Sequence, residues 1–256
     1  MFIDVHAHLN DDKLIENVEQ ILEDASKVGV KKVICCGYDE KSSIVALELS
    51  KKFDCIYACI GMHPHDSKYY TEEFENWIKL NHNDSKVVAI GEIGLDYHYD
   101  LSPRETQKEI FVRQIRLASE LKLPIVIHTR EAIADTLQIL KENKQFLNNK
   151  ILFHCYNASL EITKELLKFD SYFSFGGTIT FKNATNLIEV VKFIPLDTIL
   201  LETDCPYLAP QPLRGSVNEP KNIPLIAEKL AEIKGVNIET ISKQTLNNTK
   251  KFFNIG

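Results

Sequence analysis

The sequence predicts an α/β chain of the (β/α)8, or TIM, barrel class, and three observations carry that prediction. Eight short apolar runs alternate with segments whose apolar residues recur at helical spacing. The runs are apolar nearly throughout rather than alternating, as strands covered on both faces require. No Gly/Ser-rich linker, charge block or shift of composition interrupts the 256 residues, so 1–256 reads as a single domain.

The first run, Met1-Phe2-Ile3, leads into Asp4-Val5-His6-Ala7-His8. Residues two apart on a strand share a face, so His6 and His8 project together with Asp4 behind them. Leu14, Val18, Ile21, Leu22 and Ala25 then mark a helix within 12–29, stopped by Gly29. Val33 to Cys36 is the second strand, followed by a helix from about Glu40 to Lys52. Cys55 to Ile60 is the third, ending in Gly61-Met62-His63-Pro64-His65, with a helix near Glu72 to Asn81 after it. The fourth, Val87 to Ile90, ends in Gly91-Glu92.

A long helix is predicted over 103–121, with Pro103 suited to a first turn. The fifth strand is Pro124 to His128, with a helix to about Gln145, and the sixth is Lys150 to His154, with a helix over 160–168. Ser171 to Phe175 is the seventh, ending at Gly176-Gly177 before a helix from about Asn183. Thr198 to Asp204 is the eighth, and helices over 219–233 and 238–253 close the chain. The stretch from Pro206 to Pro220 holds four prolines and reads as an ordered active-site loop.

Composition narrows the function classes. Hydrophobic content of 44% and charged content of 26% suit a globular protein, and no apolar run reaches the roughly eighteen residues of a membrane helix. No signal peptide is visible, so no membrane partner and a cytoplasmic location are expected. The six cysteines include no CxxC pair and read as packed, reduced thiols. A net charge of −6 argues against a surface that wraps long duplex, so nucleic-acid contact must be local and helped by cations.

The polar residues fall where the chemistry of a barrel belongs. His6, His8, His63, His65, Glu92, His128, His154 and Asp204 all lie at or just beyond strand ends, and barrel sites form at the C-terminal ends. They are expected to converge on one mouth. Buried histidines and carboxylates otherwise need partners, and metal coordination supplies them. The alternative for His6 and His8 alone is a hydrogen-bonded core pair.

These motifs, in this order, resemble the TatD family of metal-dependent hydrolases nearly end to end. The resemblance rests on Asp4 to His8, Gly61 to His65, Gly91-Glu92-Ile93-Gly94-Leu95-Asp96-Tyr97, Pro124 to Arg130, and His154-Cys155-Tyr156. Glu202-Thr203-Asp204-Cys205-Pro206-Tyr207-Leu208-Ala209-Pro210 and Arg214 to Pro220 complete it. One departure stands at Tyr156-Asn157-Ala158, where the family often has Phe-Ser-Gly; it touches the pocket wall and not the ligand His154.

The resemblance implies two divalent ions, Zn²⁺, Mn²⁺ or Mg²⁺: one held by His6, His8, Glu92 and Asp204, the other by Glu92, His128 and His154. Glu92 has two oxygens to bridge them, and no lysine ends the fourth strand to serve as a carbamylated bridge. Asp204 is the expected general base, its other role being that of a structural ligand. Asp96 and Glu202 are expected to orient ligands. His63 is a candidate for phosphate or a third ion, and His65 reads equally as an exposed loop histidine. His82 and His98 are not in ligand positions.

For substrate, Arg130, Lys182 and Arg214 are phosphate candidates, Arg214 having a competing use in pairing with Glu202 or Glu219. Tyr156 and Tyr207 are candidates to stack on a base, or else to pack. The expected function is a deoxyribonuclease acting on single-stranded or frayed DNA ends, with 3′-to-5′ polarity implied by the resemblance. Two alternatives stay open. One is hydrolysis of an amide or ester on the same site, for example by a D-aminoacyl-tRNA deacylase; the other is a non-catalytic metal-binding protein.

Overall fold

The computed structural model describes all 256 residues. Eight strands lie side by side in chain order in one sheet, with a helix after each, which is the (β/α)8 barrel class. No helix is long and apolar enough to cross a membrane. The chain forms two compact units: Met1–Cys35 with His154–Lys164 and Tyr172–Gly256, and Cys36–Phe153 with Glu165–Ser171.

In the first unit β1 (Phe2–Ala7) runs parallel to β2 (Val30–Cys36), Phe2 opposite Val30 and Ala7 opposite Cys35. Between them a 3₁₀ turn, Ile15–Asn17, leads into α1 (Val18–Lys27), so the predicted helix begins late. β7 (Ser171–Phe175) pairs with β8 (Ile199–Leu201). β8 ends at Leu201, earlier than the apolar pattern suggested, and Asp204, three residues on, takes a left-handed φ of 56°.

The chain beyond β8 is stitched to β1 instead. Asp204 N–H donates to the His6 carbonyl at 2.9 Å, and His8 N–H donates to the Cys205 carbonyl at 2.8 Å. That register sets His6, His8 and Asp204 side by side. The last helices of this unit are α8 (Ile223–Lys234) and α9 (Ile238–Phe253). Asn248 of α9 donates to the carbonyls of Leu196 and Ile199, which fixes the entry to β8.

In the second unit α2 (Glu40–Lys52) starts with a capping box between Asp39 and Ser42 and precedes β3 (Ile56–Ile60). α3 (Glu72–Asn81) leads to β4 (Val87–Asp96), then α4 (Arg104–Leu121), β5 (Ile125–Arg130), α5 (Ile133–Glu142) and β6 (Ile151–Phe153). β4 runs past the predicted end at Ile90, so Glu92 sits inside the strand and Asp96 at its end. Gly94 makes that possible: a Cβ there would lie 2.0 Å from the His128 carbonyl oxygen, and its φ is 141°. Gly91, which read as the strand end, likewise sits against β5, where a Cβ would lie 2.8 Å from Val126, and Gly94 stands opposite His128.

α6 (Leu160–Leu166) and α7 (Thr185–Phe193) complete the alternation. The core is the expected one, with Val5, Ile34, Ile60, Ile90, Ile127, Phe153, Phe175 and Leu200 fully buried on their strands. All six cysteines are free thiols. Burial raises the Cys205 thiol well above its usual pKa, so it packs as a neutral group.

Candidate active site

In the first unit three ligand atoms meet. His6 Nε2 lies 3.3 Å from His8 Nε2, and Asp204 Oδ1 is 3.7 Å from the first and 3.4 Å from the second. A tetrahedral ion with ligands at about 2.0–2.1 Å has ligand-to-ligand edges of about 3.4 Å. The triangle fits such an ion. Burial pushes the Asp204 carboxyl up, but the hydrogen bond with His8 and the charges of His154, His6 and His8 outweigh it and hold its pKa below the usual range.

Behind this triangle the His154 ring stacks on His6, with centroids 3.9 Å apart and planes at 11°. His154 Nδ1 faces Glu202 Oε1 at 3.8 Å, and His6, His154 and Glu202 together offer atoms close enough to share a cation. Glu202 is fully buried. Its Oε1 accepts from the Cys155 backbone N–H at 2.7 Å and its Oε2 from the Ser174 hydroxyl at 2.5 Å. It thereby fixes the turn that carries His154. Asp4 is turned away from the imidazoles: it accepts from the Thr203 N–H at 2.9 Å and from the Thr203 hydroxyl at 2.5 Å. Burial pushes its pKa up to about 7.

In the second unit the cluster is built around His128. Its Nδ1 lies 2.9 Å from Glu92 Oε1 and its Nε2 lies 3.0 Å from Asp96 Oδ2. A carboxylate stands at each nitrogen, and of the two Glu92 is the one in a group with His128 that could hold an ion, which leaves Asp96 to orient the ring. Asp96 also accepts from the His98 and Tyr99 backbone N–H groups at 3.0 and 2.9 Å. Burial raises the Asp96 pKa, but bonds from His128, His65 and Tyr99 overcome that and hold it far below the usual carboxylate range. His65 Nε2 lies 3.1 Å from Asp96, so His65 is a partner of Asp96 and not a free loop histidine. His63 Nε2 is 3.5 Å from Glu92 Oε1, and His63, Glu92 and His128 also come close enough to share an ion.

Two residues of this arrangement escaped the sequence reading. Gln107 and Gln114, seven apart on the buried face of α4, both have zero exposure. The Gln114 amide accepts from Met62 N–H at 2.8 Å and donates to the Met62 carbonyl at 3.0 Å, clamping the segment before His63. Gln107 makes the same pair of bonds to Asp96, at 2.9 and 3.1 Å. The available signal was two amides on an otherwise apolar helix stripe, a costly burial unless each has partners.

The substrate candidates are placed as follows. Arg130 is exposed at the end of β5, its guanidinium 4.9 Å from the Tyr99 ring centroid. Lys182 is exposed after a 3₁₀ turn, Gly177–Thr180, that follows β7. Arg214 is exposed with its guanidinium 4.4 Å from the Phe181 ring centroid. It pairs with neither expected carboxylate: Glu202 is committed to Cys155 and Ser174, and Glu219 to Lys221 at 2.6 Å.

Tyr156 requires a correction. It is 1% exposed, its ring packs 4.6 Å from Phe173 and its hydroxyl bonds Thr163, so it offers no face to a base. Tyr207 does present a ring: it is 47% exposed, edge-on to His8 at 6.3 Å, with its hydroxyl donated to Asp11. Asn218 ties the loop around Tyr207 by donating to the Thr203 and Tyr207 carbonyls, both at 2.8 Å. His98 pairs with Glu131 at 2.7 Å, away from the ligand set.

Comparison with known proteins places this arrangement in a family. The family model described as TatD related DNase matches residues 3–254. The metal-dependent hydrolase YabD of Bacillus subtilis is 46% identical over 256 residues, covering all of both chains. The metal-dependent hydrolase YcfH of Escherichia coli is 34% identical over 258 residues, 99% of this chain and 96% of its own. Among solved structures, the TatD homologue YjjV of Escherichia coli superposes with a TM-score of 0.93 at 28% identity, over 100% of this chain and 98% of its own. The chain belongs to the TatD family of metal-dependent hydrolases.

Proposed function

We propose that this hydrolase is a phosphodiesterase that trims single-stranded or frayed DNA from an end, working from 3′ to 5′. The observation that carries the reading is the pair of imidazole–carboxylate clusters, one of them a triangle with edges of 3.3–3.7 Å. A triangle of that size can hold a divalent ion, and divalent ions stabilise the charge that develops in phosphoryl transfer. The description of the matching family supports the substrate class.

In this reading His6, His8 and Asp204 hold one divalent ion and Glu92 and His128 a second. Zn²⁺, Mn²⁺ and Mg²⁺ all suit these ligands. Such ions, when bound, supply Lewis acidity and make water acidic enough to attack near neutral pH.

The chain's own residues do the rest. Asp204, with Oδ1 turned to the two imidazoles, takes the proton of the attacking water on its other oxygen. Asp96 keeps the His128 ring oriented. Arg130, Lys182 and Arg214 are exposed cations available to the phosphates on either side of the scissile bond. With a net charge of −6 the chain lacks an extended basic surface, which favours a short terminal stretch over long duplex.

The test is a side-by-side assay of metal-replete protein on single-stranded DNA, duplex DNA, RNA, an aminoacyl-tRNA and a simple ester. Preference for single-stranded DNA supports the proposal. Faster turnover of the ester or the aminoacyl-tRNA replaces it with amide or ester hydrolysis, and no turnover of any substrate leaves a binding protein.

A further inference from the structure

His63 sits beside Glu92 and His128, and one hydrogen bond decides what it can do. The His65 backbone N–H donates to His63 Nδ1 at 3.2 Å. A backbone N–H can only donate, so Nδ1 carries a lone pair and the single proton of the neutral ring sits on Nε2. A metal also needs a lone pair. Nδ1 has spent its own, and Nε2 is protonated. Closeness to Glu92 and His128, or to His65 and Asp96, therefore does not make His63 a ligand.

We propose that His63 is a fixed hydrogen-bond donor whose Nε2–H binds an anionic oxygen of the substrate beside Glu92, and that it holds no metal. The tautomer is built into the fold. Pro64 restricts His63 to extended backbone, observed at φ −64° and ψ 149°, and starts the 3₁₀ helix Pro64–Tyr69 that His63 caps with this same Nδ1. Gln114 clamps Met62 on one side, and on the other Asp66 N–H donates to the His63 carbonyl at 3.0 Å. The His63 N–H itself donates to the Tyr38 carbonyl at 2.8 Å. The ring is wedged 4.2 Å from His65 and 4.4 Å from His128.

At 3.5 Å the contact from Nε2 to Glu92 is longer than a good N–H···O bond, so the donor is not spent there. An oxygen held beside Glu92 and His128, the residues that would hold an ion, would meet this N–H. The identity of that oxygen as a phosphate oxygen rests on the phosphodiesterase reading; the tautomer and the absence of ligation do not.

The test has two arms on the full chain. Nitrogen-15 NMR of the imidazoles is recorded on metal-free and ¹¹³Cd-loaded protein. The expected result is a proton on His63 Nε2 in both states and no ¹¹³Cd coupling at either His63 nitrogen. A proton on Nδ1, or cadmium coupling, overturns the proposal. In the second arm inorganic phosphate is titrated into Cd-loaded wild type, His63→Ala and His63→Gln.

Equal metal content in all three is expected. Phosphate should bind about tenfold or more weaker to His63→Ala, with partial recovery in His63→Gln, whose amide restores a donor. Loss of metal from His63→Ala, or unchanged phosphate affinity, overturns the proposal. If both arms give the expected results and DNA is not cleaved, the phosphodiesterase reading fails alone.

Discussion

At the scale of single residues, the site works by assigning each nitrogen and oxygen one task. Asp204 turns one oxygen to His6 and His8, and in the proposed reading its other oxygen takes the proton. Asp204→Asn preserves much of the shape and loses the basic oxygen. Its kcat on DNA should fall about 10²- to 10⁴-fold, the usual range for a general base, with the circular-dichroism spectrum unchanged. Full activity in a variant shown to retain its metals would remove Asp204 from that role. Asp96 acts through His128, so Asp96→Asn should weaken metal binding about 10- to 100-fold, measured by competition with a chelator. An unchanged affinity would mean that packing alone orients His128. The motifs made His6 and His8 beside Asp204, and His128 beside Glu92, legible in the sequence; they did not show that His154 stacks on His6 and faces Glu202. The sequence did not tell Tyr156 from Tyr207, because burial depends on which side of the following turn each ring falls. Tyr156 turns inward onto Phe173, and Tyr207 stays out beside His8.

At the scale of elements, α4 is the scaffold of the second cluster. Gln114 satisfies both the N–H and the carbonyl of Met62, and it is fully buried. Gln114→Leu strands both groups, so it should destabilise the fold by about 2–5 kcal/mol, read as a lowered urea midpoint. A midpoint equal to wild type would show that the clamp is dispensable. The same helix is tied to α3 through Glu75, which bonds Arg113 at 2.5 Å and Lys79 at 3.0 Å. Burial raises the Glu75 pKa, but the bonds from Lys79 and Arg113 outweigh it and the pKa is lowered below 4.5. A depressed folded-state pKa gives stability that is present above the unfolded value and lost as pH falls through the folded one. Thermal denaturation between pH 6 and pH 3 should therefore show a steeper acid loss for wild type than for Glu75→Gln; equal slopes would contradict the tie. Periodicity gave the helix bounds closely, as in Glu40–Lys52 and Glu72–Asn81. It failed at β4, where Gly94 permits a longer strand, and at β8, which ends at Leu201 and not at Asp204.

At the scale of the whole molecule, the fold class followed from eight apolar runs and their spacing, because a parallel sheet covered on both faces leaves that imprint in any sequence. Substrate choice leaves no such imprint, since the same ligand chemistry serves phosphodiesters, esters and amides. Charge is the molecular property that bears on it. In the proposed reading, a chain of net charge −6 with exposed Arg130, Lys182 and Arg214 takes a few phosphates and not a long duplex. Cutting inside duplex would also require bending or opening it, at a cost of about 1–6 kcal/mol. The most direct measurement offers metal-loaded protein a linear single strand, labelled at either end, and a covalently closed circle of the same sequence, with a chelated sample as control. The account predicts release of mononucleotides from the 3′ end of the linear strand, an intact circle and no reaction after chelation; rapid cleavage of the circle, or turnover without metal, would contradict it.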